Sequence, residues 1–163
     1  MIIIIDQKTL LKDAEKIADA ADYVFINGTD KEGSKLDKFT NIVNMEGFNP
    51  PAKCLKSKDD ALESKSKVKE AKKKWLKSKD LEKSIRACTK TLVDSDGKLN
   101  VVIILRKKAY KKFGKTLKKK ICAVTGVKGD YVRLYEDISK KHLSDTVDKK
   151  ELKKLKKYFA KFK

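Results

Sequence analysis

Residues 24–36, VFINGTDKEGSKL, have the layout of a phosphate-binding loop, because a loop between two glycines follows an apolar run and precedes a predicted helix. In such a loop a lysine directly follows the second glycine to contact phosphate, and a hydroxyl residue follows the lysine to hold magnesium. Here Ser34 precedes Lys35, which turns the lysine by about 100° around the helix. Asp30 and Glu32 also place two negative charges in the loop. The order of residues therefore favours a turn with Ser34 capping a helix over a nucleotide site.

A set of carboxylates near the ends of predicted strands could hold Mg²⁺ in a nuclease or phosphoryl-transfer enzyme. These residues are Asp6, Asp22, Asp30 and Glu136. Their spacing does not require them to meet. A metal-dependent enzyme is therefore an alternative hypothesis, and the leading one includes no catalytic residue and no cofactor.

Histidine and cysteine offer little for metal binding or nucleophilic catalysis. His142 is the only histidine, so a zinc site with two histidines is excluded. Cys54, Cys88 and Cys122 are far apart and form no Cys-x-x-Cys pair. We predict that these thiols are reduced and buried, which is typical of an intracellular protein.

Positive charge is the dominant feature of the composition, with 42 Lys and Arg against 23 Asp and Glu and a net charge of +19. Residues 1–49 carry a net charge of −3, whereas residues 50–163 carry +22. Such asymmetry indicates a polyanionic partner, nucleic acid first and an acidic protein or anionic membrane second. Only three of these residues are arginines. Because lysine acts as a point charge and arginine is the usual reader of guanine edges, the composition favours backbone binding with little sequence readout.

Two segments are expected to gather their lysines on one side of a helix. In residues 107–122 the apolar side chains of Tyr110, Phe113 and Leu117 recur at intervals of three and four, and leucines and phenylalanines do the same after Asp148. The predicted contacts to nucleic acid on these helices are Lys107, Lys108, Lys111, Lys112, Lys115, Lys118, Lys119, Lys149, Lys153, Lys156 and Lys157. Trp75, from a third lysine-rich segment, is added as an exposed platform on which bases could stack, and Tyr158 is a second candidate platform.

The strands and helices predicted from the sequence indicate an α/β (α+β) fold, whose sheet would position the lysine-rich helices. Apolar, β-branched runs predict strands at 1–5, 22–27, 99–105 and 131–136, and a three-and-four pattern predicts helices between them, including one at 34–45. Residues 58–93 are predicted to form two helices or one bent helix. The order indicates a small mixed or parallel sheet of about four strands, built from two βαβ-like units, with a helical insertion and a C-terminal basic amphipathic helix. A ferredoxin-like split sheet and an open parallel sheet with helices on both faces remain alternatives.

The length predicts a single domain over residues 1–163. Within it we expect an acidic βαβα part (1–49), a helical insertion (50–93) and a basic βαβα part (94–163).

No secretory signal or membrane span is expected, so the predicted location is the cytoplasm, with a nucleoid or virion as alternatives. The leading hypothesis is a protein that binds nucleic-acid backbone, DNA or RNA, as would suit packaging, protection or regulation by a virus or mobile element. The alternatives are the metal-dependent enzyme and a basic inhibitor or adaptor of an acidic protein.

Overall fold

The computed structural model describes residues 1–13, 15, 17, 23–26, 42–44, 46–48, 50–56, 65–94, 101–138 and 149–160. The strands in these ranges are β1 (Ile2–Asp6), β2 (Tyr23–Ile26), β3 (Ile42–Asn44), β4 (Val101–Leu105) and β5 (Val132–Leu134). The α-helices are α1 (Gln7–Lys12), α2 (Ala52–Leu55), α3 (Lys65–Leu76), α4 (Lys79–Asp94), α5 (Lys107–Thr125) and α6 (Lys149–Ala160). Short 3₁₀ turns lie at Glu46–Phe48, Gly129–Tyr131 and Tyr135–Asp137.

The strands form one open parallel sheet in the order β3-β2-β4-β1-β5. In its centre Ile2 of β1 is aligned with Val101 of β4 on one side and with Val132 of β5 on the other. The apolar residues of β1 and all residues of β4 are buried, as expected for strands that are covered on both faces. The predicted α/β class is therefore confirmed, and of the two predicted arrangements the open parallel sheet is the one observed.

The sheet has five strands in the described ranges, where the sequence indicated about four. The additional strand, β3, occupies Ile42–Asn44, at the end of the helix predicted over 34–45. That prediction is wrong for these three residues, because Ile42 pairs with Val24 and Asn44 with Ile26 in a parallel ladder. Residues 34–41 lie outside the described ranges. The β-branched pair Ile42 and Val43 suits a strand once a neighbouring strand is present, whatever the local helical spacing.

The strands lie in the sheet in a different order from that along the chain, which the sequence did not indicate. The two predicted βαβ-like units stay a prediction. β4 lies between β1 and β2, and β1 lies between β4 and β5. The connections that leave β1 and β4 therefore run in opposite directions along the sheet. Because crossover connections between parallel strands are right-handed as a rule, connections that run in opposite directions are expected to pass over opposite faces, which predicts α1 and α5 on opposite sides of the sheet.

Alternate residues of the central strands face the helices α4 and α5. Ile2, Ile4 and Ile103 belong to one buried cluster with the apolar stripes of these helices. The stripe of α4 includes Leu81 and Ile85. Helices α4 and α5 thus cover this face of the sheet, and the exposed lysines of α5 point away from it.

The predicted helical stretch at 58–93 contains two helices, α3 and α4, in its described part. They are separated at Lys77 and Ser78. The hydroxyl of Ser78 accepts a hydrogen bond from the backbone N–H of Leu81 at 3.3 Å and so caps α4. No helix in the described ranges is both long enough and apolar enough to span a bilayer.

Candidate nucleic-acid interface

Helix α5 is held on the sheet by a continuous buried face. It begins after the extended residue Arg106, directly at the end of β4, and ends at Gly126, whose φ of 72° lies in the left-handed region. Phe113, Gly114 and Leu117 are buried along its inner face. A Cβ at Gly114 would lie 3.2 Å from the side chain of Leu134, so the small residue lets the helix approach β5 closely. The rotation of α5 about its axis is therefore fixed by packing.

The predicted lysines of α5 consequently lie on its water-facing side. A stripe at intervals of three and four is exposed: Lys108, Lys111, Lys112, Lys115 and Lys119. Lys107 is exposed at the start of the helix, and Lys118 is half-buried at the edge of the stripe. From Lys108 to Lys119 the stripe runs for about 16 Å, given the helical rise per residue.

Helix α6 repeats this arrangement. Its inner face contains the buried Leu155 and the half-buried Leu152, Tyr158 and Phe159. The outer face consists of exposed lysines: Lys149, Lys150, Lys153, Lys154, Lys156 and Lys157. The four predicted lysines of α6 (149, 153, 156 and 157) have no carboxylate among the described residues within 4.0 Å.

Glu151, the acidic residue of α6, faces inward and has only 3% of its surface exposed. Lys128 Nζ lies 3.0 Å from its Oε1, and Lys154 Nζ lies 3.6 Å from the same oxygen. A buried carboxylate requires such partners, because its charge has lost the hydration that water would give. Glu151 therefore connects α6 to the segment that follows α5, and its buried charge is paired with Lys128 and Lys154.

A chain of polar contacts joins α6 to α4 and α5. The Nε of Arg86 in α4 donates to Glu82 at 3.1 Å, and its Nη1 donates to the hydroxyl of Tyr158 at 2.8 Å. That hydroxyl in turn donates to the carbonyl oxygen of Val124, in the last turn of α5. The hydrogen bond from Arg86 holds the pKa of Glu82 below its usual range. The lysine faces of α5 and α6 are thus parts of one packed unit on the same side of the sheet.

Helix α3 and the residue that ends α2 border the stripe of α5, a feature that the sequence did not reveal. Lys112 Nζ donates to the carbonyl oxygen of Lys56 at 2.6 Å, and Lys72 Nζ lies 5.3 Å from the centre of the Phe113 ring. Both ammonium groups also lie near Cys54, where they act against the rise in thiol pKa that burial causes. The basic surface therefore extends from α5 onto α3. No sequence signal predicts this, because it depends on contacts between residues 40 or more positions apart.

The prediction that Trp75 is an exposed stacking platform is wrong. Its side chain is buried, with 5% exposed, and its indole N–H donates to the carbonyl oxygen of Gly47 at 3.1 Å. The indole also packs edge to face against Phe113, with ring centres 5.2 Å apart. Burial of this large ring anchors α3 to α5, which explains how a helix with so few apolar residues stays attached.

Two of the three arginines are held within the fold. Arg86 is part of the polar chain described above. Arg133 donates from Nε to the carbonyl oxygen of Asp130 at 3.0 Å. Arg106 is exposed at the beginning of α5. Within α5 and α6 the basic residues are thus all lysines, with Arg106 at the residue before α5.

The predicted magnesium carboxylates are only partly described. Asp6 accepts hydrogen bonds from the backbone N–H of Thr9 at 3.1 Å and from the Thr9 hydroxyl at 2.6 Å, and so caps α1 as its position predicts. Glu136 lies at the same end of the sheet, close enough to Tyr110 to contribute to the pKa of that phenol. Asp22, Asp30, the loop from Gly28 to Lys35 and His142 lie outside the described residues. Within the described part of the chain, no group of three or more His, Cys, Asp or Glu could hold a metal ion.

The three cysteines are free thiols. Cys54 and Cys88 are buried, as predicted, whereas Cys122 is only half-buried. Burial raises the pKa of all three thiols, which keeps them protonated and poorly nucleophilic.

Comparisons with models of protein families, with curated proteins and with solved structures gave no significant match to this chain. Its own residues and their arrangement are therefore the basis for any statement about function.

Proposed function

We propose that this protein binds the phosphate backbone of nucleic acid through the lysine faces of α5 and α6, with little dependence on base sequence. The observation that carries this proposal is the separation on both helices: apolar side chains face inward, lysines face outward, and the acidic residue of α6 is buried. Each outer face is thus a dense array of ammonium groups. Such an array attracts a polyanion and releases the counterions condensed on it.

The absence of acidic residues from α5 supports this function over a merely solvated surface. Like charges three and four residues apart destabilise a helix by a few tenths of a kcal/mol per pair, and acidic residues at the same spacing would compensate for this. In α5 eight lysines occur with no acidic residue. A binding surface for phosphates explains why this repulsion is kept, because the ligand itself supplies the negative charge.

This function would place the protein with nucleic acid in the cytoplasm, on a nucleoid or in a virion. It requires no metal and no catalytic residue. The nature of the exposed cations also sets the specificity, since lysine contacts phosphate without the bidentate geometry that distinguishes bases.

The direct test is the salt dependence of binding to a labelled 20-base-pair DNA duplex, measured by fluorescence anisotropy in increasing KCl. About six phosphate contacts predict a slope near −5 in a plot of log K against log[salt]. Two duplexes of unrelated sequence should bind with affinities within about threefold of each other, because few base contacts are expected. A slope near zero, or failure to bind any nucleic acid together with capture of an acidic protein, would overturn the proposal.

A further inference from the structure

The aromatic side chains of the basic helices are turned away from the lysine surface. Trp75 of α3 and Phe113 of α5 are buried against each other. Tyr110 is half-buried, and burial followed by the nearby charge of Glu136 raises the pKa of its phenol to about 12. Tyr158 of α6 is half-buried with its hydroxyl bonded inside the fold. No fully exposed aromatic residue therefore occurs on the described parts of these helices.

This arrangement lacks what proteins use to hold single strands. Such proteins combine a positive surface with exposed aromatic rings, and each stacked base adds substantially to the affinity. Here the exposed chemistry of the outer faces consists of ammonium groups, so electrostatic attraction is the available source of affinity. That attraction is larger for a duplex, because each neutralised phosphate releases about 0.9 of a counterion from duplex DNA and about 0.7 from a single strand.

The length of the stripe also fits a duplex. The lysines of α5 cover about 16 Å. A duplex of that length presents roughly nine phosphate charges, at one per 1.7 Å of axis, in a stiff array that does not have to be ordered on binding. A single strand must be ordered on a surface whose described residues offer its bases no exposed ring.

We infer that the ligand of the α5 and α6 lysine faces is a double helix, recognised through the phosphates of its backbone, rather than a single strand. This inference rests on the proposed function and makes it narrower. Phosphate arrays of this kind occur on duplex DNA and on duplex RNA, so both are included in the test.

The test compares three labelled probes by fluorescence anisotropy across a range of KCl concentrations: a 20-base-pair DNA duplex, the RNA duplex of the same sequence, and (dT)20. We expect at least one duplex to bind about fivefold or more tightly than (dT)20 at 100 mM KCl, with the steeper salt slope. Binding of (dT)20 should be negligible when extrapolated to 1 M salt. The chain has one tryptophan, so intrinsic tryptophan fluorescence reports on Trp75 alone, and (dT)20 should not quench it.

A pair of variants tests directly whether an exposed aromatic ring on α5 would favour the single strand. Lys115→Trp places an aromatic ring in the centre of the stripe, and Lys115→Ala removes the same charge without adding a ring. Relative to Lys115→Ala, the tryptophan variant should bind (dT)20 several-fold more tightly and the duplexes equally well.

The outcomes separate this inference from the function on which it rests. If (dT)20 binds as tightly as both duplexes, keeps micromolar affinity at 1 M salt or quenches Trp75, the inference is wrong while nucleic-acid binding stands. If none of the three probes binds, the proposed function itself is wrong.

Discussion

The indole of Trp75 in α3 packs edge to face on the ring of Phe113 in α5, with their centres 5.2 Å apart, and this pair joins two lysine-rich helices that are distant in sequence. The indole N–H is satisfied by the carbonyl oxygen of Gly47, in the 3₁₀ turn that precedes α2. One buried side chain thus connects three segments. Several consequences of this packing, and of the exposed lysines on the outer side of α5, can be measured.

Replacing Trp75 with phenylalanine should destabilise the fold without weakening binding to nucleic acid. Trp75→Phe leaves the buried carbonyl oxygen of Gly47 without its donor, which costs about 1–3 kcal/mol. Urea unfolding followed by circular dichroism measures this change, and duplex affinity at fixed salt should stay within about twofold. Unchanged stability together with weaker binding would indicate that the indole contacts the ligand after all.

Gly47 should tolerate no larger residue. A methyl group at this position would overlap the backbone carbonyl oxygen of Asp80 and the hydroxyl of Ser84 in α4. Gly47→Ala therefore forces the turn away from α4 and should cost about 1–3 kcal/mol or more. The matched control is Gly129→Ala, since a Cβ there would have only the flexible end of Lys118 near it, at 3.8 Å. Thermal unfolding of the two variants should differ by several degrees, and equal melting temperatures would contradict the packing described for Gly47.

Alkaline pH should destabilise the protein in part through Tyr110. Burial, followed by the charge of Glu136, raises the pKa of this phenol to about 12, against about 10 in the unfolded chain. The contribution to stability is fully present below pH 10, because the phenol is then protonated in both states. It is lost between about pH 10 and pH 12, where the unfolded chain releases the proton and the folded chain retains it.

Melting temperatures measured from pH 9 to pH 12 test this linkage. Tyr110→Phe cannot ionise, so the melting temperature of the variant should fall less steeply above pH 10 than that of the wild type. Parallel curves for the two proteins would show that Tyr110 does not contribute to alkaline unfolding.

Reversing charge on the α5 stripe should weaken duplex binding far more than the same reversal elsewhere. Lys111→Glu with Lys115→Glu removes two phosphate contacts, which should lower the affinity about tenfold or more at 100 mM KCl and reduce the magnitude of the salt slope by about two. The control, Lys8→Glu with Lys12→Glu, changes two exposed lysines of α1, which are not among the predicted contacts to nucleic acid. This control has the same net charge and should keep its affinity within about threefold. An equal loss in both double variants would mean that net charge alone, and no particular face, governs binding.

The sequence predicted the orientation of α5 and α6 well, because it depends on local periodicity. Phe113 and Leu117, one turn apart on the same side of a helix, must both leave water, so Lys115 between them is left outside. The same local logic located β1 and β4, whose unbroken β-branched runs are typical of buried parallel strands.

Trp75 and the segment at Ile42–Asn44 show where such reasoning fails. Lysines surround Trp75 in the sequence, which suggested exposure, but Gly47 and Phe113 approach it from segments 28 and 38 residues away. Ile42 and Val43 matched a helical spacing, yet pairing with β2 places them in a strand. In both cases contacts with residues far away in the sequence determine the local structure, and no local sequence pattern identifies those residues.

By itself, the sequence determined the excess and distribution of positive charge, the apolar stripes of α5 and α6, and hence which lysines of each helix face water. These properties depend on the hydrophobic effect acting over one or two turns of helix. Only the tertiary structure determined that β4 inserts between β1 and β2, that α3 is anchored beside α5, and that Arg86 and Tyr158 join α4, α5 and α6 on one side of the sheet. Strand order and helix docking arise from packing between segments that are distant in the sequence. The same sequence pattern is compatible with many pairings of these apolar segments, so it does not select one of them.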